Sequence, residues 1–444
     1  MPLGGLDPTE FREPHASLRP LQVLSLRRNF SWALVGNVAF AASQWGVLAV
    51  LAKLGDAAVV GRFALALAVT APAFMLANLQ LRSIQATDAR RLYRFGHYLA
   101  LRLIGASAAL AVLLVVAAAG YAPDVAAVIV VVAVGKAFDS LADVALGLAQ
   151  QHERLDRGAR ARILAGAASL AGLSLAVWLT HDVLWGAAGW AAGYAAAALA
   201  CPVWLGRDLL REALHADGFE KAKSIRALLP IWDVATLAGL AKLALPLGIV
   251  MMLVSLKFNM PRYFIESAFD EKALGIFAAL AYLMTAGHLV ALALGQAAAP
   301  RLAKLHAAGE SGQFWAMVGK LIALAAAGGA IAVGLAAAIG RPVLTVLYAP
   351  EYAEYLAVFV CLAAVTGIQF ASSFLGEAMT ATRSFRSQVP LLLAVVAATT
   401  AACAVLVPRY GLMGAVLASG IGEVGQVAGS FAIVLHAMRR GSPV

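Results

Sequence analysis

An apolar segment of membrane-spanning length carries cations in its interior. The segment covers residues 245–267 and contains Lys257, Asn259 and Arg262. A cation within the hydrocarbon of a bilayer costs at least about 2.5 kcal/mol, so such residues usually face a cavity or a partner rather than lipid. The pattern predicts an anion-binding wall made by Arg262, Lys257 and Asn259.

Pro261 lies beside these residues and should act as a hinge. Proline lacks the N–H that would bond to the carbonyl of Lys257 and crowds that carbonyl, so we expect the helix to kink or unwind there. One alternative stays open. Arg262 and Glu266 are spaced i,i+4 and could pair with each other at the membrane interface, with the Lys257 side chain reaching towards water.

A second group of charges lies in another apolar segment. Lys136, Asp139 and Asp143 are spaced i, i+3 and i+7, which places them on one helical face. A carboxylate buried near a cation has a perturbed affinity for protons, so these residues could couple transport to an H⁺ or Na⁺ gradient. A structural ion pair between Lys136 and Asp139, with Asp143 near the surface, explains the pattern equally well.

Four other polar residues stand in apolar segments. Glu377 and Glu423 are further candidates for ion coupling, although Glu377 could instead pair with Arg383. Asn37 and Gln44 are seven residues apart and share a helical face, where they could bind sugar hydroxyls. Hydrogen bonds between helices are the commoner role of such amides.

The composition indicates what positions these residues. The chain is 62% hydrophobic and only 13% charged, with a mean hydropathy of +0.83, and a bilayer span needs about 20 apolar residues. We therefore predict an all-α polytopic membrane protein with about twelve transmembrane helices. The predicted spans are 30–54, 57–81, 98–120, 125–149, 163–180, 184–205, 244–267, 273–299, 314–339, 352–380, 389–407 and 412–438.

An internal repeat divides these spans into halves. At an offset of 214 residues, four residues in the first half match four in the second: Asp56, Gly61, Phe63 and Ala64 with Asp270, Gly275, Phe277 and Ala278. We predict a tail (1–29), two six-helix lobes (30–205 and 244–438), an inter-lobe linker (206–243) and a second tail (439–444). Halves with an even number of spans are related by an axis along the membrane normal, an arrangement typical of transporters.

The charge distribution predicts orientation. Most of the 34 lysines and arginines fall on segments that share a side with the N-terminus, so both termini are expected to be cytoplasmic. The same distribution argues against nucleic acid as a partner and places the basic segment 82–96 on membrane lipids.

Enzyme chemistry has little support in the sequence. Cys201, Cys361 and Cys403 are scattered and lack disulfide or metal-ligand spacing. Hydrolase, phosphate-loop and metalloprotease motifs are not found. We expect no metal and no cofactor.

Three motifs carry a family resemblance: Arg28-Asn29-Phe30-Ser31-Trp32 followed by Gly36-Asn37, Pro261-Arg262-Tyr263-Phe264-Ile265-Glu266, and Leu274-Gly275-Ile276-Phe277-Ala278-Ala279-Leu280. They resemble the oligosaccharide flippase branch (O-antigen and polysaccharide flippases) of the multidrug, oligosaccharidyl-lipid and polysaccharide exporter superfamily. The resemblance implies two six-helix lobes that form a V around a central cationic cavity.

The resemblance also implies a function. Such flippases carry a polyprenyl-diphosphate-linked oligosaccharide across the bacterial inner membrane by alternating access, for surface polysaccharide such as lipopolysaccharide O-antigen or exopolysaccharide. Arg262 and Lys257 would then hold the diphosphate or acidic sugars, and polysaccharide-assembly proteins are possible partners. An ion-coupled drug or metabolite antiporter of the same superfamily is the alternative, and a membrane-embedded glycan polymerase or ligase is a weaker one.

Overall fold

The fold consists of long, closely packed helices. The computed structural model describes residues 24–88, 91–205, 209, 229–382 and 384–440, and within these residues the regular elements are helices. The predicted all-α class is confirmed.

The first half of the chain supplies eight helices: α1 Leu26–Leu54, α2 Ala57–Asn78, α3 Leu81–Thr87, α4 Phe95–Gly120, α5 Pro123–Gln151, α6 Leu155–Thr180, α7 Val183–Leu199 and α8 Cys201–Leu205. The second half supplies α9 Val234–Ala268, α10 Glu271–Ala307, α11 Ser311–Leu347, a 3₁₀ turn at Pro350–Tyr355, α12 Leu356–Ala381 and α13 Phe385–Arg440.

Helix α13 is a hairpin of two antiparallel segments. The backbone is non-helical at Gly411, where φ is 58° and ψ is −136°. An added Cβ on Gly422 would lie 2.2 Å from Thr399 Oγ1, and one on Gly429 would lie 2.3 Å from Leu391 Cδ1, so the two segments pack closely along their length. The predicted break between spans 389–407 and 412–438 is therefore found.

The described helices account for twelve membrane crossings. Nine of the described helices are long and apolar enough to cross a membrane. The shorter Val183–Leu199, the helix α10 and the second segment of α13 complete the set. The protein is a multi-pass membrane protein, as its composition predicts.

Some predicted boundaries are wrong. Helix α9 begins at Val234 rather than residue 244, because Asp233 caps its first turn by accepting a hydrogen bond from the Ala235 N–H. The predicted linker 206–243 therefore includes the start of a helix. The predicted span 184–205 is interrupted after Leu199. The remainder of the linker (206–208 and 210–228), residues 1–23 of the first tail and residues 441–444 of the second lie outside the described residues.

The two halves meet around repeat-related glycines. An added Cβ on Gly61 would lie 1.8 Å from the carbonyl oxygen of Glu271, and one on Gly275 would lie 1.8 Å from the carbonyl oxygen of Ala57. Gly61 corresponds to Gly275 and Ala57 corresponds to Glu271 at the same offset of 214 residues, so each half makes the same glycine-to-carbonyl contact with the other. This exchange is the symmetry that the repeat predicts.

The two ends of the bundle differ. We call the end where α1 begins and α13 ends the termini face, and the opposite end the far face. At the far face a single apolar core includes Leu48 and Leu51 from one lobe together with Phe277 and Tyr348 from the other. Trp45 adds a hydrogen bond of 3.0 Å from Nε1 to the Tyr348 hydroxyl. The lobes are thus closed on each other at the far face.

The connections at the far face are short. Helices α1 and α2 are joined by Gly55 and Asp56, α9 and α10 by Phe269 and Asp270, and the segments of α13 by the turn at Gly411. Asp56 and Asp270 cap the helices that follow them, each accepting a backbone hydrogen bond of 2.8 Å. Little chain is left over to form loops on this side.

Nearer the termini face, the two seams between the lobes are unequal. Between α2 and α9, Leu79 packs with Leu237 and Leu240 in one apolar cluster. In the other seam, Val35 on α1 and Val290 on α10 are 52% and 62% exposed. Helices α2 and α9 are in much more extensive contact than α1 and α10 are.

Candidate anion-binding site between the lobes

Arg262 is a cation deep in the bundle that forms no ion pair with a described carboxylate. Its Nη1 donates to Asn259 Oδ1 at 2.5 Å, and Asn259 Nδ2 donates to the Ser255 carbonyl at 2.8 Å. Its Nε is buried without a hydrogen-bond partner, and its electrostatic neighbours are the hydroxyls of Tyr282 and Tyr263. The alternative pairing with Glu266 is not found.

The helix around Arg262 is continuous. Pro261 is buried inside α9, which runs unbroken from Val234 to Ala268, so the expected unwinding does not occur. The neighbouring Tyr263 hydroxyl donates to the Ala68 carbonyl of α2 at 2.6 Å. Arg262 is therefore held beside a hydrogen bond that joins the two lobes.

Lys257 is paired within the second lobe. Its Nζ lies 2.8 Å from Glu423 Oε1, both side chains being 5% exposed, and 2.6 Å from Gln426 Oε1. The Ser372 hydroxyl donates to Glu423 Oε2 at 2.8 Å. A predicted substrate ligand and a predicted coupling residue thus neutralise each other, whereas Arg262 on the same helix has no described carboxylate partner.

The first lobe supplies a second charged group. Lys136 Nζ lies 3.9 Å from Asp139 Oδ2 and 5.5 Å from the centre of the Trp190 ring. The Asp139 side chain is 39% exposed, yet it lies within electrostatic range of Arg162 and Tyr194. Asp139 is thus an accessible carboxylate with cations nearby, in a cleft whose other walls are mostly apolar.

Asp143 belongs to a different network. Arg102, whose side chain is fully buried, reaches its carboxylate at 3.1 Å, and Arg82 reaches it at 3.4 Å. Arg102 also contacts Asn78. The predicted stripe of three charges is therefore divided: Asp143 compensates the fully buried Arg102, for which burial makes a carboxylate partner necessary, and also pairs with the partly exposed Arg82.

Arg162 is a site residue that the sequence did not single out. The centre of its guanidinium lies 5.0 Å from the Phe40 ring centre, and its Nε is buried without a hydrogen-bond partner. It lines a cleft with Asp139 and Trp204. The signal was obscured by a boundary error, because α6 begins at Leu155 rather than residue 163, which places Arg162 inside the helix.

The remaining candidates occupy separate positions. Asn37 is exposed on α1, whereas Gln44 is partly buried with an unpartnered Nε2 and lies beside Tyr194. Glu377 is partly buried, with its Cγ 3.1 Å from where a Cβ on Gly295 would lie. Its proposed partner Arg383 lies outside the described residues. The roles assigned to these three residues stay predictions.

We use the name interlobe site for Arg262, Asn259, Tyr282, Tyr194, Arg162 and Asp139. Tyr282 of α10 lies within electrostatic range of Arg262, and Tyr194 of α7 lies within that range of Arg162, Asp139 and Tyr282. The named residues therefore include one guanidinium group from each lobe, and neither lies within ion-pair distance of a described carboxylate.

Comparison with known proteins identifies the fold. No protein-family model matches the chain. The chain is 25% identical over 401 residues to the capsular polysaccharide biosynthesis protein CapF of Staphylococcus aureus, covering 89% of this chain and 96% of that protein. It is similar to the inward-facing structure of a multidrug resistance MATE family transporter of the MOP superfamily, with a TM-score of 0.65, 13% identity and coverage of 92% of this chain and 98% of the other. The chain has the MOP transporter fold.

A second MOP-like structure is the lipid II flippase MurJ in an inward closed conformation. The TM-score is again 0.65, at 10% identity, and the match covers 92% of this chain and 90% of MurJ. The two similar structures belong to a transporter and a flippase rather than to enzymes, in agreement with the prediction. The predicted two-lobe MOP fold is confirmed.

Proposed function

We propose that the protein is a flippase that moves a polyprenyl-diphosphate-linked oligosaccharide from the cytoplasmic to the outer leaflet of a bacterial inner membrane. Both termini would be cytoplasmic, so the termini face would receive the substrate. The observation that carries the proposal is Arg262, a partly buried arginine whose Nε is buried and which has no carboxylate partner in the described chain.

The physical reason is the cost of leaving such a group unpaired. An ion removed from water loses several kcal/mol of solvation, which good pairing can offset. Arg262 has one short bond to a neutral amide, and its Nε has no protein partner. A phosphate oxygen accepts charge-assisted, often bidentate hydrogen bonds from arginine, so an anionic head group would supply what the protein does not.

The unequal seams support a lipid-linked substrate. A polar head group can enter the interlobe site while its polyprenyl chain passes between α1 and α10, where Val35 and Val290 are exposed. That chain would remain in the hydrocarbon of the bilayer. The relationship to CapF, a capsular polysaccharide biosynthesis protein, supports a surface glycan as the cargo, with polysaccharide-assembly proteins as partners.

An ion-coupled antiporter of the same superfamily is the alternative. Asp139 is the carboxylate that favours it, because its side chain is accessible and pairs loosely with Lys136 at 3.9 Å. Coupling to an H⁺ or Na⁺ gradient would also serve a flippase. A flippase and an antiporter are therefore distinguished by the molecule that they transport rather than by the coupling ion.

The test measures the export of surface glycan by variants expressed in a strain that lacks its own copy of the protein. We expect Arg262→Ala to abolish surface glycan and to cause lipid-linked oligosaccharide to accumulate on the cytoplasmic side, and Arg262→Lys to restore export in part, because lysine keeps the charge without the bidentate geometry. Lys272→Ala is the matched control. It removes a cation whose side chain is 54% exposed at the far face, and it should export normally.

Normal export by Arg262→Ala, at wild-type abundance in the membrane, would remove the basis of the proposal. Normal glycan together with increased sensitivity to cationic drugs would favour the antiporter.

A further inference from the structure

Exposed apolar side chains lie at the termini face where α4 and α9 begin. Leu92 precedes α4, and Trp232 and Val234 stand at the start of α9. All three are exposed. Both helices are long and apolar enough to cross a membrane, so residues at their starts lie at the boundary between hydrocarbon and water. Tryptophan is typical of that boundary.

Direct contacts hold the two helix starts side by side. The Ile231 N–H donates to the Gly96 carbonyl at 3.0 Å. The Tyr93 hydroxyl lies 3.7 Å from where a Cβ on Gly239 would lie, and Lys242 follows Gly239 by one turn on the same face of α9. The chain before α4, in the first lobe, and the start of α9, in the second, therefore form one continuous surface.

This surface carries accessible cations. Arg91 and Lys242 are exposed, and neither has a described carboxylate within ion-pair distance. Arg91 Nη2 instead lies 3.4 Å from His152 Nε2. The two aspartates of these segments, Asp88 and Asp233, each accept hydrogen bonds from local backbone N–H groups. Exposed cations beside apolar side chains are the combination that attracts a protein surface to anionic lipids.

We infer that Arg91, Leu92, Trp232, Val234 and Lys242 bind an anionic phospholipid of the termini-face leaflet, and that this lipid contacts both lobes. The five residues are called the interfacial surface. The two cations meet the phosphate of the head group, and the three apolar side chains enter the boundary with the acyl chains. A zwitterionic phospholipid carries its own cation beside the phosphate and is bound less tightly. The inference concerns the surrounding membrane and is independent of the transported molecule.

A lipid that contacts both lobes favours the arrangement in which both contacts exist at once. The adjoining seam between α2 and α9 is an apolar cluster that includes Leu79, Leu237 and Leu240, with Tyr93 and Phe95 packed against it. Anionic lipid should therefore keep this seam closed.

The experiment measures quenching of Trp232 fluorescence in the full-length protein in phosphatidylcholine nanodiscs. Increasing fractions of phosphatidylglycerol or phosphatidylcholine, brominated at the same position near the head group, are included. The Trp232 signal is the difference between each protein and its Trp232→Phe counterpart. Half-maximal quenching should require an at least tenfold lower fraction of brominated phosphatidylglycerol than of brominated phosphatidylcholine.

Each cation near the membrane surface should contribute about fivefold to this preference. Arg91→Gln and Lys242→Gln should each lower it about fivefold, and the double variant should abolish it. Arg91→Lys should keep it, because a point charge suffices at a lipid surface.

The matched control is the double variant Lys53→Gln/Arg409→Gln. It removes the same net charge from two exposed residues at the far face that pair with no described carboxylate, so it should keep the preference. The thermal unfolding midpoint of each variant in the same nanodiscs shows that it is folded. A cysteine introduced at the fully buried Leu240 reports on the seam and should react more slowly with a thiol reagent in phosphatidylglycerol than in phosphatidylcholine.

The inference is overturned if the two lipids quench Trp232 equally in wild type, or if the folded Arg91→Gln/Lys242→Gln variant keeps the preference. Loss of the preference in the far-face control would also overturn it, since net charge rather than this surface would then be responsible. Equal labelling of Leu240→Cys in the two lipids would refute the contact with both lobes.

Discussion

Loss of either partner of the buried Lys257–Glu423 ion pair should lower the free energy of unfolding by several kcal/mol. The two charged atoms are 2.8 Å apart and the side chains are 5% exposed, which corresponds to about 6 kcal/mol of attraction at an effective dielectric constant of about 20. The loss of solvation of both ions offsets most of this attraction. Removal of one partner leaves the other as an uncompensated buried charge.

We therefore predict that Lys257→Met and Glu423→Leu each lower the free energy of unfolding by about 3–5 kcal/mol. The double variant should lie within about 2 kcal/mol of wild type, because an apolar pair of similar volume replaces the ions and only Gln426 and Ser372 lose a hydrogen-bond partner. The measurement is reversible unfolding of the purified protein in mixed detergent micelles, analysed as a double-mutant cycle.

The exposed pair Lys272–Glu351 is the control for this cycle. Its charged atoms are 2.9 Å apart, but its side chains are 54% and 35% exposed, so the same substitutions there should change stability by less than about 1 kcal/mol. Additive effects at Lys257 and Glu423 would refute the reasoning. The double variant also tests function: if it folds and exports glycan, the Lys257–Glu423 pair acts in the structure, whereas loss of export by a stable double variant would show that transport needs at least one of the two charges.

Two further predictions concern glycine. Gly275→Val should force the lobes apart at the far face, because its Cβ would lie 1.8 Å from the Ala57 carbonyl oxygen. A cysteine introduced at the fully buried Leu48 should then react faster with a thiol reagent, and an unchanged rate of labelling would contradict this. Gly411→Ala should lower the free energy of unfolding by about 1–3 kcal/mol, because φ is 58° there. Gly425→Ala, with open space around the new Cβ, should not lower it, because alanine favours a helix more than glycine does.

The sequence predicted the fold well because a hydropathy pattern and an internal repeat each extend over many residues. The offset that aligns Asp56 with Asp270 and Gly61 with Gly275 corresponds to two equivalent helix caps and to one reciprocal backbone contact. Helix boundaries were harder to predict. The helix α9 begins at Val234, whereas the predicted span begins at residue 244, because hydropathy locates the membrane-spanning part of a helix and not its capped start.

The site was predicted only in part because ion pairing depends on how helices rotate against each other. The sequence identifies Lys257 and Glu423 as buried charges but does not show that they meet across 166 positions of chain to form one pair. Asp143 was grouped with Lys136 by helical spacing, whereas the structure pairs it with Arg102 from a neighbouring helix. Arg162 falls just outside the predicted span 163–180 because its helix begins earlier than hydropathy indicates.

The short connections at the far face limit what large molecules can recognise from that side. Turns such as Gly55–Asp56 and Phe269–Asp270 place helix caps, rather than loops, at the surface, so an antibody raised against that side would find few continuous epitopes. A peptide tag inserted there would separate a capping aspartate from the helix it caps. Reporter tags and partner proteins that need an extended chain segment are therefore better accommodated at the termini face, where the chain begins and ends.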